Sequence, residues 1–318
     1  MNDTAHMRKT PDVSIVTPAY DEEENLALLY ERIRSALEGI DWEWVIIDDH
    51  SSDSTFAQIL DMSEADGRVR GVRLARNSGT HISARCGLDH SRGDAVVVMA
   101  SDLQDPPEAI PRLLEKWGEG AQVVWAVRAQ RRGETLFKRG ASRFYHWLIR
   151  KSTGIKELPA KGADFFLVDR IVVDALKGFR ERHGSILMLI TWLGFRQVSV
   201  EYDKQARIHG RSKWTLEKKL KLVVDSILSF SYLPIRAMSY IGIGVAVAGL
   251  VYATIVFVNA VTGNPPEGWS SLMVVVLMVG GILMLMMGVI GEYLWRALDE
   301  ARARPAYVIE QTTANHEI

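Results

Sequence analysis

The stretch VSIVTPAYDEEENLALLYERIRSALEGIDWEWVIIDD, residues 13–49, decides the fold. It opens on a β-rich run, Val13–Tyr20, that leads into Asp21 and Glu22. Apolar residues then recur at helical spacing, at Leu26, Leu29, Ile33 and Leu37. A second β-rich run, Trp42–Asp49, ends in two aspartates. Moving outward, a helix around Phe56–Met62 precedes a strand at Val69–Ala75, and further strands fall at Ala95–Ala100 and Gln122–Ala129. Helical patterns at Ile82–Leu88 and Ile110–Trp117 separate them. This alternation implies an α/β fold with a mostly parallel sheet covered by helices.

Two of these strands end in acid: VIIDD at 45–49 and VVVMASD at 96–102. In open α/β sheets, ligands bind beyond the carboxyl ends of the strands. Asp48, Asp49 and Asp102 are therefore expected to share one cleft with Pro18, Tyr20, Asp21 and Glu22. Any one aspartate alone would serve equally well as a turn or helix cap. Two acid-tipped strands in one sheet weaken that reading. Asp53, just before a helix, is assigned to capping.

Lys and Arg number 38 against 39 Asp and Glu, a formal net charge of -1, which argues against a general nucleic-acid binder. The single cysteine, Cys86, excludes an internal disulfide and a multi-cysteine zinc site, and is expected to be a packed small residue. The polar N-terminus, MNDTAHMRKT, lacks the apolar core of a signal peptide.

The chain changes character after Arg236. Ala237–Pro266 and Gly268–Gly291 carry no formal charge, and each is long enough to cross a bilayer, which takes roughly 20 apolar residues. Asn264, Pro265 and Pro266 break the first helix and make an antiparallel hairpin. Lys213, Lys218, Lys219, Lys221 and Arg236 precede the hairpin, and Arg296, Arg302 and Arg304 follow it. Its connector has no Lys or Arg, so both large ends are expected in the cytoplasm. Gly242 with Ala246, and Gly281 with Gly288, suit close helix packing within or between subunits. Leu216, Leu220, Val223, Val224, Ile227 and Leu228 give an amphipathic helix just before the first span, suited to the membrane interface.

VSIVTPAYDEEENL, VIIDDHSSDST, RNSG and SDLQDPPE occur in that order, followed by GADFFLVDR at 162–170, HGRSKW at 209–214 and GEYLWR at 291–296. Together with the hairpin, these motifs resemble family 2 glycosyltransferases of the GT-A fold. The resemblance is to the dolichyl-phosphate mannose synthase and bacterial polyprenyl-phosphate (bactoprenol) glycosyltransferase type. It implies a Rossmann-like sheet with helices on both faces, and inverting transfer of a sugar from a nucleotide-sugar donor to a polyprenyl monophosphate at the cytoplasmic membrane face. The implied organisation is a GT-A domain over 1–205, a basic loop and amphipathic helix over 206–235, two transmembrane helices over 236–296 and a cytoplasmic tail over 297–318.

The resemblance also implies roles. Pro18, Tyr20 and Glu22 line the nucleotide pocket, Asp49 addresses the base, and Asp48 supports that loop. Asp102 and Gln104 hold Mg²⁺ or Mn²⁺, which neutralises a departing diphosphate. Where the family reads DADLQ this chain reads ASDLQ; Ala100 replaces the first acid and Ser101 does not restore its charge. The metal would then rely more on diphosphate oxygens and water.

Eight basic side chains lie between Arg128 and Lys151, interleaved with aromatic groups, in a segment expected to face the membrane. Arg128, Lys138, Arg139 and Ser142 are the implied contacts of the acceptor phosphate, and Arg211, Ser212 and Lys213 belong to a loop that closes over donor and acceptor phosphates. Asp164 is implied to contact sugar hydroxyls or assist at the acceptor, so that the catalytic set is Asp102, Asp164 and Arg128. Implied partners are a nucleotide sugar (UDP-hexose favoured, GDP-mannose as the alternative), the polyprenyl phosphate, the bilayer and further copies of the chain as a homo-oligomer. Two rival functions stay open on the sequence: a processive membrane polysaccharide synthase, and a catalytically silent membrane-anchored nucleotide-binding scaffold.

Overall fold

A computed structural model describes residues 11–129, 164–179, 185–205, 233–262 and 268–313. The chain divides into two units, one of residues 1–222 with 305–318, the other of residues 223–304. In the first, strands β1 (Val13–Ala19), β2 (Trp42–Asp48), β3 (Val69–Leu74), β4 (Ala95–Val98), β5 (Val123–Arg128), β6 (Phe166–Asp169), β7 (Gln197–Tyr202) and β8 (Ile309–Thr312) form one sheet in the order β7-β5-β6-β4-β1-β2-β3-β8. The pairs β1–β2, β1–β4, β2–β3 and β5–β7 are parallel, whereas β6 runs antiparallel to β4 and β5 and β8 antiparallel to β3. The five strands expected from 13 to 129 are all present, each within two residues of its expected ends.

Both faces of the sheet are covered. Helices α1 (Leu26–Ala36), α2 (Thr55–Ala65) and α4 (Ile110–Gly118) pack on the face that carries Ile15, Trp44, Ile46 and Val97. Helix α3 (Thr80–His90), with α5 (Arg170–Lys177) and α6 (Ile186–Trp192), covers the other. Double coverage explains why β2 is buried along its whole length and why β4 reads as an unbroken AVVV. Gly93 leads into β4 because a Cβ there would lie 2.6 Å from the Ser14 backbone nitrogen.

Under α3 the first halves of β1, β2 and β3 carry a buried polar network. Glu43 accepts from the Ser14 hydroxyl at 2.6 Å and the Arg92 backbone N–H at 2.7 Å, and its other oxygen pairs with Arg70 Nη1 at 2.6 Å. The side chains of Arg70 and Glu43 are only 3% and 7% exposed, so neither charge has water to fall back on.

The stretch beyond residue 297, expected as a tail, departs from that expectation. Its first residues complete a helix, and Ile309–Thr312 joins the sheet as β8. The physical reason is the edge of β3, whose free backbone groups β8 satisfies.

The second unit contains α7 (Leu233–Val261) and α8 (Trp269–Ala301), of 29 and 33 residues. Both are long and apolar enough to cross a membrane. Large apolar side chains such as Leu250 and Met284 lie exposed along them, as lipid-facing positions would. Gly242 of α7 faces Met286 of α8. The expected amphipathic helix falls mostly within 206–232, outside the described residues.

Removing one partner of the Glu43–Arg70 pair strands the other charge. Glu43→Ala is expected to cost about 3–5 kcal/mol, against about 1 kcal/mol for Ser14→Ala, in unfolding of the detergent-solubilised protein. Equal small losses would show that the pair is not effectively buried.

Candidate active site

The site begins where β1 meets β4. Parallel strands on either side of β1 end at the same edge, and the strand order reverses there, which opens a crevice beyond the carboxyl ends. The ladder continues past the strands: Asp49 N–H donates to Ala19 O at 2.8 Å, and Met99 N–H to Val16 O at 3.0 Å. Ser101 Oγ then donates to Pro18 O at 3.1 Å, tying the β4 tip to the β1 tip. Ser101 thus acts as a strand tie in the place beside the missing acid at Ala100.

Asp48 is fully buried. One of its oxygens accepts from the Ser51 N–H at 3.1 Å and the other from Arg73 Nη1 at 2.8 Å. Burial pushes its pKa up, while Ser51 and Arg73 pull against the rise. Asp49 holds the RNSG segment: its two oxygens accept from the Ser78 and Gly79 N–H groups at 2.7 and 2.8 Å. Gly79 has φ +90°, a conformation that favours glycine, and it presents its N–H to Asp49 at the start of α3. Burial raises the Asp49 pKa too, against the pull of those N–H donors.

The turn after β1 interlocks with the one after β2. Asp21 N–H donates to Ser51 Oγ at 2.9 Å, Asp21 Oδ1 accepts from Ser52 N–H at 2.8 Å, and Glu22 N–H donates to Thr55 Oγ1 at 2.9 Å. Glu22 itself accepts from Asn25 Nδ2 at 2.6 Å. Asp53 accepts from the Thr55 N–H at 3.0 Å and from the Glu23 N–H at 3.4 Å, while Ser54 holds the N-cap position of α2 without a side-chain cap bond. Pro18 and Tyr20 are half-buried beside this turn.

At the β4 tip, Asp102 is nearly buried and its Oδ1 accepts from the Gln104 N–H at 3.2 Å. Leu103 between them has φ +59°, a strained conformation for a bulky residue that its burial in the core sustains. Asp105, fully buried, accepts from the Tyr202 hydroxyl at 2.5 Å and lies 3.3 Å from Lys204 Nζ. Burial raises its pKa and Lys204 opposes the rise. Gln205 N–H donates to Gln104 O at 2.9 Å, so the metal-loop candidate is pinned by the segment just after β7.

Arg128 ends β5 opposite Tyr202 in register. Burial and then Asp105 push the Tyr202 hydroxyl pKa up, and Arg128 pulls it down. Arg128, Tyr202, Asp105 and the Asp102–Gln104 turn are therefore one electrostatic neighbourhood. Asp164 stands just before β6; because β6 is antiparallel, its start lies at the edge where β4 and β5 end. Its charge acts on His81, whose pKa burial lowers.

The sheet thus brings together Pro18, Tyr20, Glu22, Asp48, Asp49, Asp102, Gln104, Arg128 and Asp164 at one edge. Lys138, Arg139, Ser142, Arg211, Ser212 and Lys213 lie outside the described residues. Asp105, Tyr202, Lys204, Arg73 and His81 were not expected. Only Asp105 had a signal, its place in SDLQD; the others are recruited by long-range contact. Cys86 is buried in α3 as expected of a packing residue, and burial holds its thiol far above the ordinary range.

Residues 14–174 match the model of glycosyl transferase family 2, and residues 233–296 match the GtrB C-terminal hairpin. The chain belongs to glycosyl transferase family 2. It is 39% identical to the uncharacterized glycosyltransferase YkcC of Bacillus subtilis over 94% of this chain and 93% of that one. To the bactoprenol glucosyl transferase of Shigella phage SfX it is 35% identical, over 94% and 98%. Among solved structures, it is similar to the mannosyltransferase PcManGT from Pyrobaculum calidifontis in complex with GDP-Man and Mn²⁺, at 18% identity and a TM-score of 0.44, over 61% and 56% of the two chains.

The raised pKa of Asp49 has a signed consequence. A folded pKa above the unfolded one stabilises the fold fully below the unfolded pKa and is lost as pH rises through the folded pKa, so acid does not unfold the chain through this group. The grip on RNSG, in contrast, needs the ionised form with both oxygens accepting. Hydrogen exchange of the Ser78 and Gly79 amides, corrected for intrinsic rate, is expected to quicken as pH falls through a midpoint above 3.8, with the fold intact. Protection unchanged to about pH 4 would contradict this. Asp49→Asn should quicken exchange about tenfold at neutral pH, the equivalent of one hydrogen bond.

Proposed function

We propose that this protein transfers a sugar, with inversion, from a nucleotide-sugar donor to a polyprenyl (undecaprenyl-type) monophosphate on the cytoplasmic face of the membrane. The observation that carries the reading is a pairing within one chain. Acid-tipped strands and Arg128 share one sheet edge, and two membrane-length helices follow. The name of the Shigella phage relative supports the acceptor class. Lys and Arg flank the hairpin and are missing from its connector, which supports a cytoplasmic site and termini.

In this reading the lipid phosphate oxygen attacks the anomeric carbon. That C–O bond forms as the bond to the nucleoside diphosphate breaks, and the diphosphate oxygen keeps the electron pair. The donor set at the β4 tip, one carboxylate and one side-chain amide, suits a hard cation that keeps waters and substrate oxygens as its other ligands. Asp102 and Gln104 would hold Mg²⁺ or Mn²⁺, which when bound neutralises charge on the departing diphosphate.

The chain's own residues do the rest. Pro18, Tyr20, Glu22, Asp48 and Asp49 shape the nucleotide pocket. Arg128, Lys138, Arg139, Ser142, Arg211, Ser212 and Lys213 hold the acceptor phosphate, and Asp164 orients sugar hydroxyls. A phosphate monoester has a second pKa of about 6, so the acceptor is largely dianionic at neutral pH and no strong base is required. Positioning and charge compensation carry the rate. UDP-hexose is the favoured donor and GDP-mannose the alternative; the small-residue faces of the hairpin fit a homo-oligomer.

Incubating the purified protein with undecaprenyl phosphate, Mg²⁺ or Mn²⁺ and mixed sugar nucleotides should give a polyprenyl-phosphate monosaccharide by mass spectrometry. Polymeric glycan would favour a processive synthase, and donor binding without any transfer a silent scaffold. Asp102→Ala should lower turnover at least about 100-fold, and full activity in that variant would exclude its metal role.

A further inference from the structure

The C-terminal strand reaches the nucleotide site through a single guanidinium. β8 pairs with β3, and Thr313 fastens its end by exchanging hydrogen bonds with Gly71: Thr313 N–H to Gly71 O at 3.0 Å, and Gly71 N–H to Thr313 Oγ1 at 3.1 Å. From this strand Glu310 places Oε2 3.1 Å from Arg73 Nε and 3.3 Å from His50 Nδ1. Arg73 continues the chain of contacts. Its Nη1 donates to buried Asp48 at 2.8 Å, its Nη2 donates to Ser51 O at 3.1 Å, and its charge lies 5.4 Å from the Phe56 ring centroid. All three guanidinium nitrogens are thus engaged, one toward β8 and two toward the turn after β2.

That turn is the one on which the site depends. Ser51 receives the Asp21 N–H on its hydroxyl, and Asp49, next to Asp48, grips Ser78 and Gly79. A shift of Arg73 would move the Asp48–Ser51 turn and, through it, the segments on either side. Glu310 is about half exposed, and an exposed ion pair adds little to global stability. The contact is better suited to aiming Arg73 than to holding the fold. The planar fork is essential, because a lysine could not reach both sides at once.

We infer that Glu310 and Arg73 are positioning residues for the nucleotide site, by which the strand that follows the membrane hairpin in the chain fixes the Asp48–Ser51 turn in its nucleotide-binding geometry. The inference rests on the donor site proposed above. It gives β8 a working role: the segment after the second apolar helix is a structural component of the donor pocket.

The test uses the full chain in detergent, with UDP and with GDP titrated calorimetrically in the presence of Mn²⁺. For whichever nucleotide the wild type binds, Glu310→Gln should weaken binding by about three- to tenfold with the melting temperature almost unmoved. Arg73→Gln should weaken it more than tenfold, and Arg73→Lys should recover only part of the loss. Thr313→Ala is the control: it removes only the hydroxyl that accepts from Gly71 N–H and leaves the Glu310–Arg73 contact in place, so it should lower the melting temperature while leaving affinity within about twofold. If Arg73→Gln does not fold, Glu310→Gln decides by itself. Wild-type affinity in folded Glu310→Gln overturns the inference, as does a Thr313→Ala loss of affinity equal to that of Glu310→Gln. A wild type that binds neither nucleotide overturns the donor-site reading itself, and the inference with it.

Discussion

Parallel pairing of β1 with both β2 and β4 is the constraint on which the candidate site depends. Because all three strands run the same way, the residues that follow them leave the sheet at one edge. Asp49 and Met99 extend the ladder beyond the strands by backbone bonds to Ala19 and Val16. The acids at the tips of β2 and β4 are thereby brought within one crevice without any side chain having to reach far. Helices on both faces keep that edge as the open one, since the sheet surfaces are already occupied.

Around this edge the chain accepts local costs that a purely structural sheet would avoid. Leu103 takes a left-handed backbone, Asp48 and Asp105 are carboxyls without solvent exposure, and Asp49 is nearly so. Each is held by specific donors: Arg73 and Ser51 for Asp48, two backbone N–H groups for Asp49, and Tyr202 with Lys204 for Asp105. Such concentration of strain and buried charge is what preorganised sites show. The Glu43–Arg70 network has a different character. It lies in the opposite halves of the strands, is closed by Ser14 and Arg92, and reaches the last residue of α3 through Arg70 Nη1, which donates to His90 O at 3.2 Å.

Much of this was legible in the sequence for definite reasons. β4 is an unbroken apolar run, and β1, β2, β3 and β5 are short runs rich in β-branched and aromatic residues separated by helical patterns, so all five could be read within two residues of their ends. Acids ending VIIDD and VVVMASD were visible because a charge after such a run marks a strand's exit. The hairpin was legible from length alone. What escaped was set by tertiary contact. β8 is a four-residue strand whose sequence becomes extended because β3 offers it an edge. Tyr202, Lys204 and Arg73 carry no local mark that they would meet Asp105 and Asp48. Ser101 looked like a poor substitute for an acid, and its actual contact, the Pro18 carbonyl, is 83 residues away in the chain.

The decisive measurement is a structure of the full chain with a nucleoside diphosphate and Mn²⁺ bound. The base is expected beside Tyr20 and the Asp48–Asp49 turn, and the diphosphate against Asp102 in the crevice between β1 and β4. Nucleotide bound elsewhere, with that crevice free of it, would contradict the account.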